Sequence, residues 1–157
     1  MVRGLTPAQD AGTFRRCQQM RDIAYIALGS NLGARAEYLR LARQRLAALP
    51  GSRLLDASSI EETVPVGNVP QGPYLNQLVA LETTLSPHAL LDALHAIEQE
   101  AGRVRTIRWG PRTLDLDIVM FDTQTVSEPD LIVPHPELPN RDFWKRELAE
   151  LGVEAAE

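Results

Sequence analysis

The stretch Arg108-Trp109-Gly110-Pro111-Arg112-Thr113-Leu114-Asp115-Leu116-Asp117-Ile118-Val119 joins a basic Gly-Pro turn to two acids spaced two apart, which lead into an apolar run. On a β-strand, residues i and i+2 share a face, so Asp115 and Asp117 would project side by side, about 6–7 Å apart. Leu116 and Ile118 would point the other way, into a core. Two carboxylates on a rigid strand suit hard cations with oxygen ligands, above all Mg²⁺. Arginines just upstream suit the phosphates that Mg²⁺ usually accompanies. The acid pair taken alone reads equally well as the polar face of an edge strand. Its junction with the basic turn favours a polyphosphate–metal site.

Four arginines (Arg103, Arg105, Arg108 and Arg112) and no acid lie between Ala101 and Leu114. Arginine is a habit of this chain, because Lys145 is the sole lysine among 16 basic residues. Only the clustering therefore argues for phosphate ligation over a solvated loop. Gly29-Ser30-Asn31-Leu32-Gly33 lacks the lysine and spacing of a Walker A loop and reads as a tight strand-to-helix turn. Tyr74 and Asn76 share one strand face. They offer a stacking ring and an amide that both donates and accepts, which suits a flat heteroaromatic ligand. His135 is flanked by Pro134 and Pro136, with Arg141 six residues on. Phosphate contact fits it better than zinc, which would need more ligands. His88 and His95 read as helix-surface residues.

The elements that must position these groups follow from periodicity. Ile23–Leu28 is nearly all apolar and reads as a strand buried on both faces. Leu39, Ala42, Leu46 and Leu49 recur at helical spacing until Pro50-Gly51 stops the run. Arg53–Ile60 reads as a strand, Thr63–Pro73 as an irregular loop, and Tyr74–Thr83 as a strand. Ser86-Pro87 is an N-cap with proline in the first turn. Leu90, Leu91, Leu94, Ile97 and Ala101 then form one stripe, ended by Gly102. Thr113–Phe121 is the acid-bearing strand, Glu128–Pro139 a proline-rich connection, and Asn140–Leu151 a last helix. The order β-α-β-β-α-β-α predicts an α+β fold, ferredoxin-like, with α/β/α layers and a mainly antiparallel sheet. Residues 1–21 are polar and weakly periodic and read as a poorly ordered extension, with Met20 as an alternative start. Residues 22–157 read as a single domain.

Composition narrows the classes. The 157 residues are enough to bury roughly two-thirds of the extended-chain surface. No apolar run approaches membrane-spanning length, and no continuous apolar segment near the start resembles a secretory signal. The single Cys17 excludes an internal disulfide and a multi-cysteine zinc site, pointing to the cytoplasm. A net charge of −5 argues against nucleic acid as partner and leaves the local arginine cluster for a compact anion.

The motifs together resemble the 6-hydroxymethyl-7,8-dihydropterin pyrophosphokinase family of folate biosynthesis. The resemblance runs through Tyr25–Gly33 (YIALGSNLG), Thr63–Gly67 (TVPVG), Tyr74-Leu75-Asn76, Glu98 with Gly102–Arg105 (GRVR), Arg108–Val119 (RWGPRTLDLDIV) and Val133–Arg141 (VPHPELPNR). It implies a kinase that moves pyrophosphate from ATP to the pterin 6-hydroxymethyl group, with two Mg²⁺ ions held by Asp115 and Asp117. It also implies that Arg103 and Arg112 engage the polyphosphate, and that Glu98, Arg105, Arg108, Trp109, His135 and Arg141 belong to the ATP site. Thr63, Val66, Tyr74, Asn76 and Phe143 correspond to pterin-site positions, with Asn76 reading the ring and Tyr74 and Phe143 sandwiching it. Loops around Asn68–Gln71 and Arg103–Gly110 would close to exclude water. The expected partners are ATP and the pterin, with no nucleic acid or membrane, and the expected state is a monomer. A paralogue acting on another pterin, or a catalytically silent binding partner, remains the alternative at this point.

Overall fold

The computed structural model describes residues 21–64, 71–102 and 113–154. Its centre is β1 (Asp22–Ser30), flanked by β4 (Tyr74–Thr83) and β5 (Asp115–Phe121), both antiparallel to it. The outer edge of β4 is shared in tandem by β2 (Ser52–Ala57) and β3 (Glu61–Thr63), giving the order β2-β4-β1-β5 with β3 beside β4. Setting β3 aside, this is the expected ferredoxin-like antiparallel arrangement. β1 is apolar almost throughout because it is central and covered on both faces.

One face carries α1 (Arg35–Ala47) and α2 (Pro87–Glu100). Ala24, Ile26 and Leu28 of β1, Val79 and Leu81 of β4, and Leu116 and Ile118 of β5 pack there against Leu39, Leu46, Leu90 and Leu94. The other face carries α3 (Asp142–Glu150), whose Trp144 and Leu148 pack on Ala27, Leu78 and Val119. The result is the α/β/α layering read from the sequence.

Local chemistry explains the boundaries. Ser86 Oγ accepts the Ala89 N–H at 3.1 Å and caps α2, with Pro87 following. Gly51, at φ +67°, turns the chain after α1, where an added Cβ would lie 2.2 Å from Thr84 Oγ1. Only glycine fits there. In β5, Ile118 pairs with Ile26 and Met120 with Tyr25, so Val119 bulges out of the ladder. The bulge lets Val119 and Met120 both serve the α3 face while Phe121 returns to the other.

Several boundaries differ from the sequence reading. Gly29 and Ser30 extend β1 instead of starting the turn. The expected strand over 53–60 ends at Ala57, and β3 takes Thr63 out of the expected loop. A hairpin of β6 (Val126–Glu128) and β7 (Leu131–Val133) starts just before the proline-rich connection and runs into it, and a 3-10 turn at Leu138–Asn140 precedes α3. Three-residue strands are too short to show a period of two.

One buried carboxyl group stands out in this packing. Glu147 of α3 is 0% exposed and faces Glu61 of β3, whose Oε1 accepts from Arg146 Nη2 at 2.9 Å. Burial, then the hydrogen bond to Glu61 and the Glu61 charge, push the Glu147 carboxyl up from 4.5 to about 9. Burial also raises Glu61, but hydrogen bonds from Glu147 and Arg146 and the Arg146 charge outweigh it and hold it low. Glu147 is thus protonated in the fold at neutral pH and ionised in the unfolded chain. Unfolding releases a proton, so this pair costs stability at about 1.4 kcal/mol per pH unit as pH rises between the two values. Glu147→Gln removes that slope and raises neutral-pH stability. Urea melts of both proteins from acid to alkaline pH check it, and parallel slopes would refute the pairing.

Candidate active site

Asp115 and Asp117 lie half-buried on β5, alternating with buried Leu116 and Ile118, because a strand at the sheet edge shows one face to core and one to solvent. Beyond β5 there is no further strand in the described sheet to pair with its outer edge. Glu98 fills that role in part. It is 2% exposed at the end of α2, and its Oε2 accepts the Leu116 N–H at 2.7 Å. The backbone between the two aspartates is thereby fastened to α2. Along this edge runs a cavity of about 350 Å³ whose lining includes His95, Glu98, Asp115, Asp117, Asp130 and His135. Its outer wall is the β6–β7 hairpin, tied to α2 where His88 Nε2 meets Glu128 Oε1 at 3.0 Å and Asp130 Oδ1 at 3.2 Å.

His135 enters the cavity from beyond the hairpin. Its N–H donates to the carbonyl of bulged Val119 at 2.9 Å, and its Nδ1 accepts the Glu137 N–H at 3.0 Å. That assigns the ring proton to Nε2, which lies 3.7 Å from Asp117 Oδ1. The imidazole also stands edge-on to Trp144, with centroids 4.9 Å apart and planes at 83°. Arg141 Cζ lies 4.5 Å from the centre of the same indole. Trp144, buried in the core under α3, therefore seats both His135 and Arg141. The sequence reading passed over it. The available signal was its spacing, three residues after Arg141 on the apolar side of the last helix.

Across the sheet, Asp115 pairs with Gly29 and Gly29 with Asn76, which pairs in turn with Glu61. Two strand spacings place Asp115 and Asn76 about 10 Å apart on one face. Gly29 keeps the floor between them clear. A Cβ there would lie 3.4 Å from Asn76 Oδ1 and 3.5 Å from Tyr74 Cδ1. Asn76, 8% exposed, donates from Nδ2 to Thr63 Oγ1 at 2.6 Å, which fixes its amide plane. Phe143 packs into the α3-side cluster on the same face. Asn31 Nδ2 donates to Gln71 Oε1 at 2.6 Å and to the Gly72 carbonyl at 3.2 Å, and Arg35 Nη1 donates to the Pro73 carbonyl at 2.8 Å. Asn31, just after β1, and Arg35, at the start of α1, thus brace the approach to β4.

The structure brings Asp115, Asp117, Glu98 and His135 to one cavity, with Arg141 on the Trp144 ring that also meets His135, and it joins Thr63, Tyr74 and Asn76 on the β3–β4 ladder, with Phe143 in the cluster under α3. Arg103, Arg105, Arg108, Trp109, Arg112 and Val66 lie outside the described residues, as do most of the loops expected to close. The acid half is fit for a hard cation: two half-exposed carboxylates open on one cavity, with a histidine N–H beside one of them. On the other half, the Asn76 amide is held in one orientation by Thr63, beside Tyr74 on the same strand face.

A family model described as 7,8-dihydro-6-hydroxymethylpterin-pyrophosphokinase matches residues 25–153. The chain is 47% identical over 132 residues to the 2-amino-4-hydroxy-6-hydroxymethyldihydropteridine pyrophosphokinase of Bacillus subtilis (strain 168), covering 84% of this chain and 79% of that one. It is 46% identical over 128 residues to the enzyme of the same name from Pseudomonas aeruginosa, covering 82% and 79%. To that of Pseudomonas putida it is 50% identical over 113 residues, covering 71% and 92%.

The Glu98 contact yields a test of the scaffold. Glu98→Ala strips the Leu116 N–H of its acceptor and is expected to cost about 1–3 kcal/mol. Chemical denaturation of the variant measures that loss, and an unchanged midpoint would show that the bond contributes nothing.

Proposed function

This chain belongs to the 7,8-dihydro-6-hydroxymethylpterin-pyrophosphokinase family and transfers pyrophosphate from ATP to hydroxymethyldihydropterin in folate biosynthesis, and we propose that its two site halves divide the substrates between them. The ladder Asp115–Gly29–Asn76 carries this reading. ATP lies over the acid half, with its polyphosphate reaching across Gly29. The pterin lies over Asn76, between the rings of Tyr74 and Phe143, with Thr63 and Val66 at its border. Asn76 reads the ring through an amide already oriented by Thr63.

The reaction joins the 6-hydroxymethyl oxygen to the β-phosphorus of ATP and breaks the bond from that phosphorus to the bridging α,β-oxygen, which leaves with AMP. The hydroxyl proton passes to solvent. Asp115 and Asp117 would hold Mg²⁺, two ions in our reading, which supplies neutralisation of phosphate charge. Arg103 and Arg112 are assigned to the equatorial oxygens, and Arg105, Arg108 and Trp109 to the nucleotide alongside them. His135 and Arg141, both seated on Trp144, offer N–H donors to phosphate oxygens at fixed positions. Glu98 serves ATP by holding the backbone that carries the aspartates. No strong base is invoked, because positioning and electrostatics carry most of phosphoryl transfer. We further propose a cytoplasmic monomer acting on neither nucleic acid nor membrane. No helix among the described residues is long and apolar enough to cross a membrane.

Incubation with ATP, Mg²⁺ and 6-hydroxymethyl-7,8-dihydropterin should form AMP only when the pterin is present; ADP or free phosphate would overturn the assignment. Asp115→Asn and Asp117→Asn are each expected to abolish Mg²⁺-dependent turnover with an unchanged circular dichroism spectrum, and retained turnover would sink the metal role. Asn76→Ala should weaken pterin binding by about 1–3 kcal/mol through unpaired ring groups while leaving ATP affinity alone. Titration calorimetry with each substrate separates the two, and selective loss of ATP binding would reverse the assignment.

A further inference from the structure

The reaction leaves one buried group of this face unused. Glu147 is 0% exposed on α3, four residues and one helical turn after Phe143. Both of its carboxyl oxygens, like Glu61 Oε2 of β3, are buried and find no hydrogen-bond partner elsewhere, and Glu61 stands directly across the ladder from Asn76. Thr63, two residues further along β3, holds the Asn76 amide. Neighbours of Glu147 on α3 grip the same segment. Arg146 Nη2 donates to Glu61 Oε1 at 2.9 Å, while Glu150 accepts the Ser59 N–H at 2.7 Å and the Ser59 hydroxyl at 2.8 Å. α3 and the strand that orients Asn76 are thus coupled at successive points, and Glu147 is the buried one.

We propose that Glu147 is a positioning residue for the pterin cradle, its protonated carboxyl locking α3, and with it Phe143, at a fixed distance from Thr63, Asn76 and Tyr74. The proposal rests on the reading of those residues as the pterin site. A fully buried carboxyl facing a half-buried carboxylate is tolerable only when it keeps its proton and donates it, and Arg146 beside Glu61 decides which of the two keeps the charge. Facing Glu147 are Glu61 from β3 and Arg146 and Glu150 of its own helix. The other strands present Tyr25 and Ala27 of β1 and Leu78 of β4 to α3, so no buried cation among these contacts would compensate a second negative charge. Losing the proton turns the lock into a repulsion and frees the gap that the pterin ring must fill. Because the Glu147 carboxyl is raised to about 9, the loss falls in the alkaline range.

Steady-state kinetics on the full chain test this with Glu147→Gln, Glu147→Ala and Asn76→Ala. Glu147→Ala is expected to raise the KM for pterin about five- to tenfold, the worth of one hydrogen bond, with kcat and the KM for ATP within about twofold. Glu147→Gln keeps an N–H donor toward Glu61 and should restore a wild-type pterin KM at about pH 7.5. As pH climbs through about 9, the wild-type pterin KM should rise while that of Glu147→Gln stays level, ionisation of the pterin itself affecting both alike. Superimposed pH profiles, or a wild-type pterin KM in Glu147→Ala when Asn76→Ala raises it, would overturn the proposal. An unchanged pterin KM in Asn76→Ala would instead remove the cradle on which it rests. Should Glu147→Ala fail to fold, the pH comparison with Glu147→Gln decides alone.

Discussion

β1 is hydrogen-bonded along both edges, to β4 from Asp22 through Ser30 and to β5 from Ala24 through Gly29. A slip of one residue on the β5 side would turn every side chain of that strand to the opposite face. Asp115 and Asp117 would then be thrust among the aliphatic residues under α1 and α2, at a cost of several kcal/mol for each unpaired carboxylate. Leu116 and Ile118 would lose their burial as well. The register that builds the core is therefore the register that assembles the acids and the amide. Gly29, at the crossing of the two ladders, is the point where both substrates' territories meet.

The two faces of the sheet divide the work of stability and chemistry. Under α1 and α2 the packing is almost wholly aliphatic. Under α3 it mixes Trp144, Phe143 and Leu148 with polar groups: Asn76 bonded to Thr63, Glu147 buried against Glu61, Arg141 over the Trp144 ring. Among the described residues a single helix covers this face where two cover the other, and Asp115 and Asp117 stay half-exposed at the sheet edge. Covering the chemical face thinly is what gives ligands access without exposing the main core.

Much of this was legible in the residues. The alternation from Leu114 to Ile118, the stripe Leu90–Ile97 and the apolar run of β1 each carry a full period or more, and the structure returns them as elements close to their expected bounds. β3, β6 and β7 carry less than two periods, so Thr63–Pro73 and Glu128–Pro139 read as loops. The spacing of the acid pair and the clustering of the arginines pointed to phosphate chemistry without any tertiary information. The second substrate came from resemblance, because nothing in the spacing of Tyr74 and Asn76 names a pterin. Glu98 and Glu147 were harder still. Each is a charged residue on an apolar helical stripe, and the meaning of each depends on a tertiary partner (the Leu116 amide or the Glu61 carboxylate) that periodicity cannot supply.

The bulge at Val119 has a consequence for how this site can change over time. A strand residue that leaves its ladder keeps a carbonyl to spare, and here that carbonyl receives His135. The histidine is thus indexed to β5 directly, sixteen residues upstream, and not to the hairpin that leads the chain to it. Insertions or deletions between Asp122 and Ile132 would lengthen or trim the cavity wall while His135 kept its station beside Asp117. The fold has in this way separated a contour that can drift with lineage from a distance that cannot.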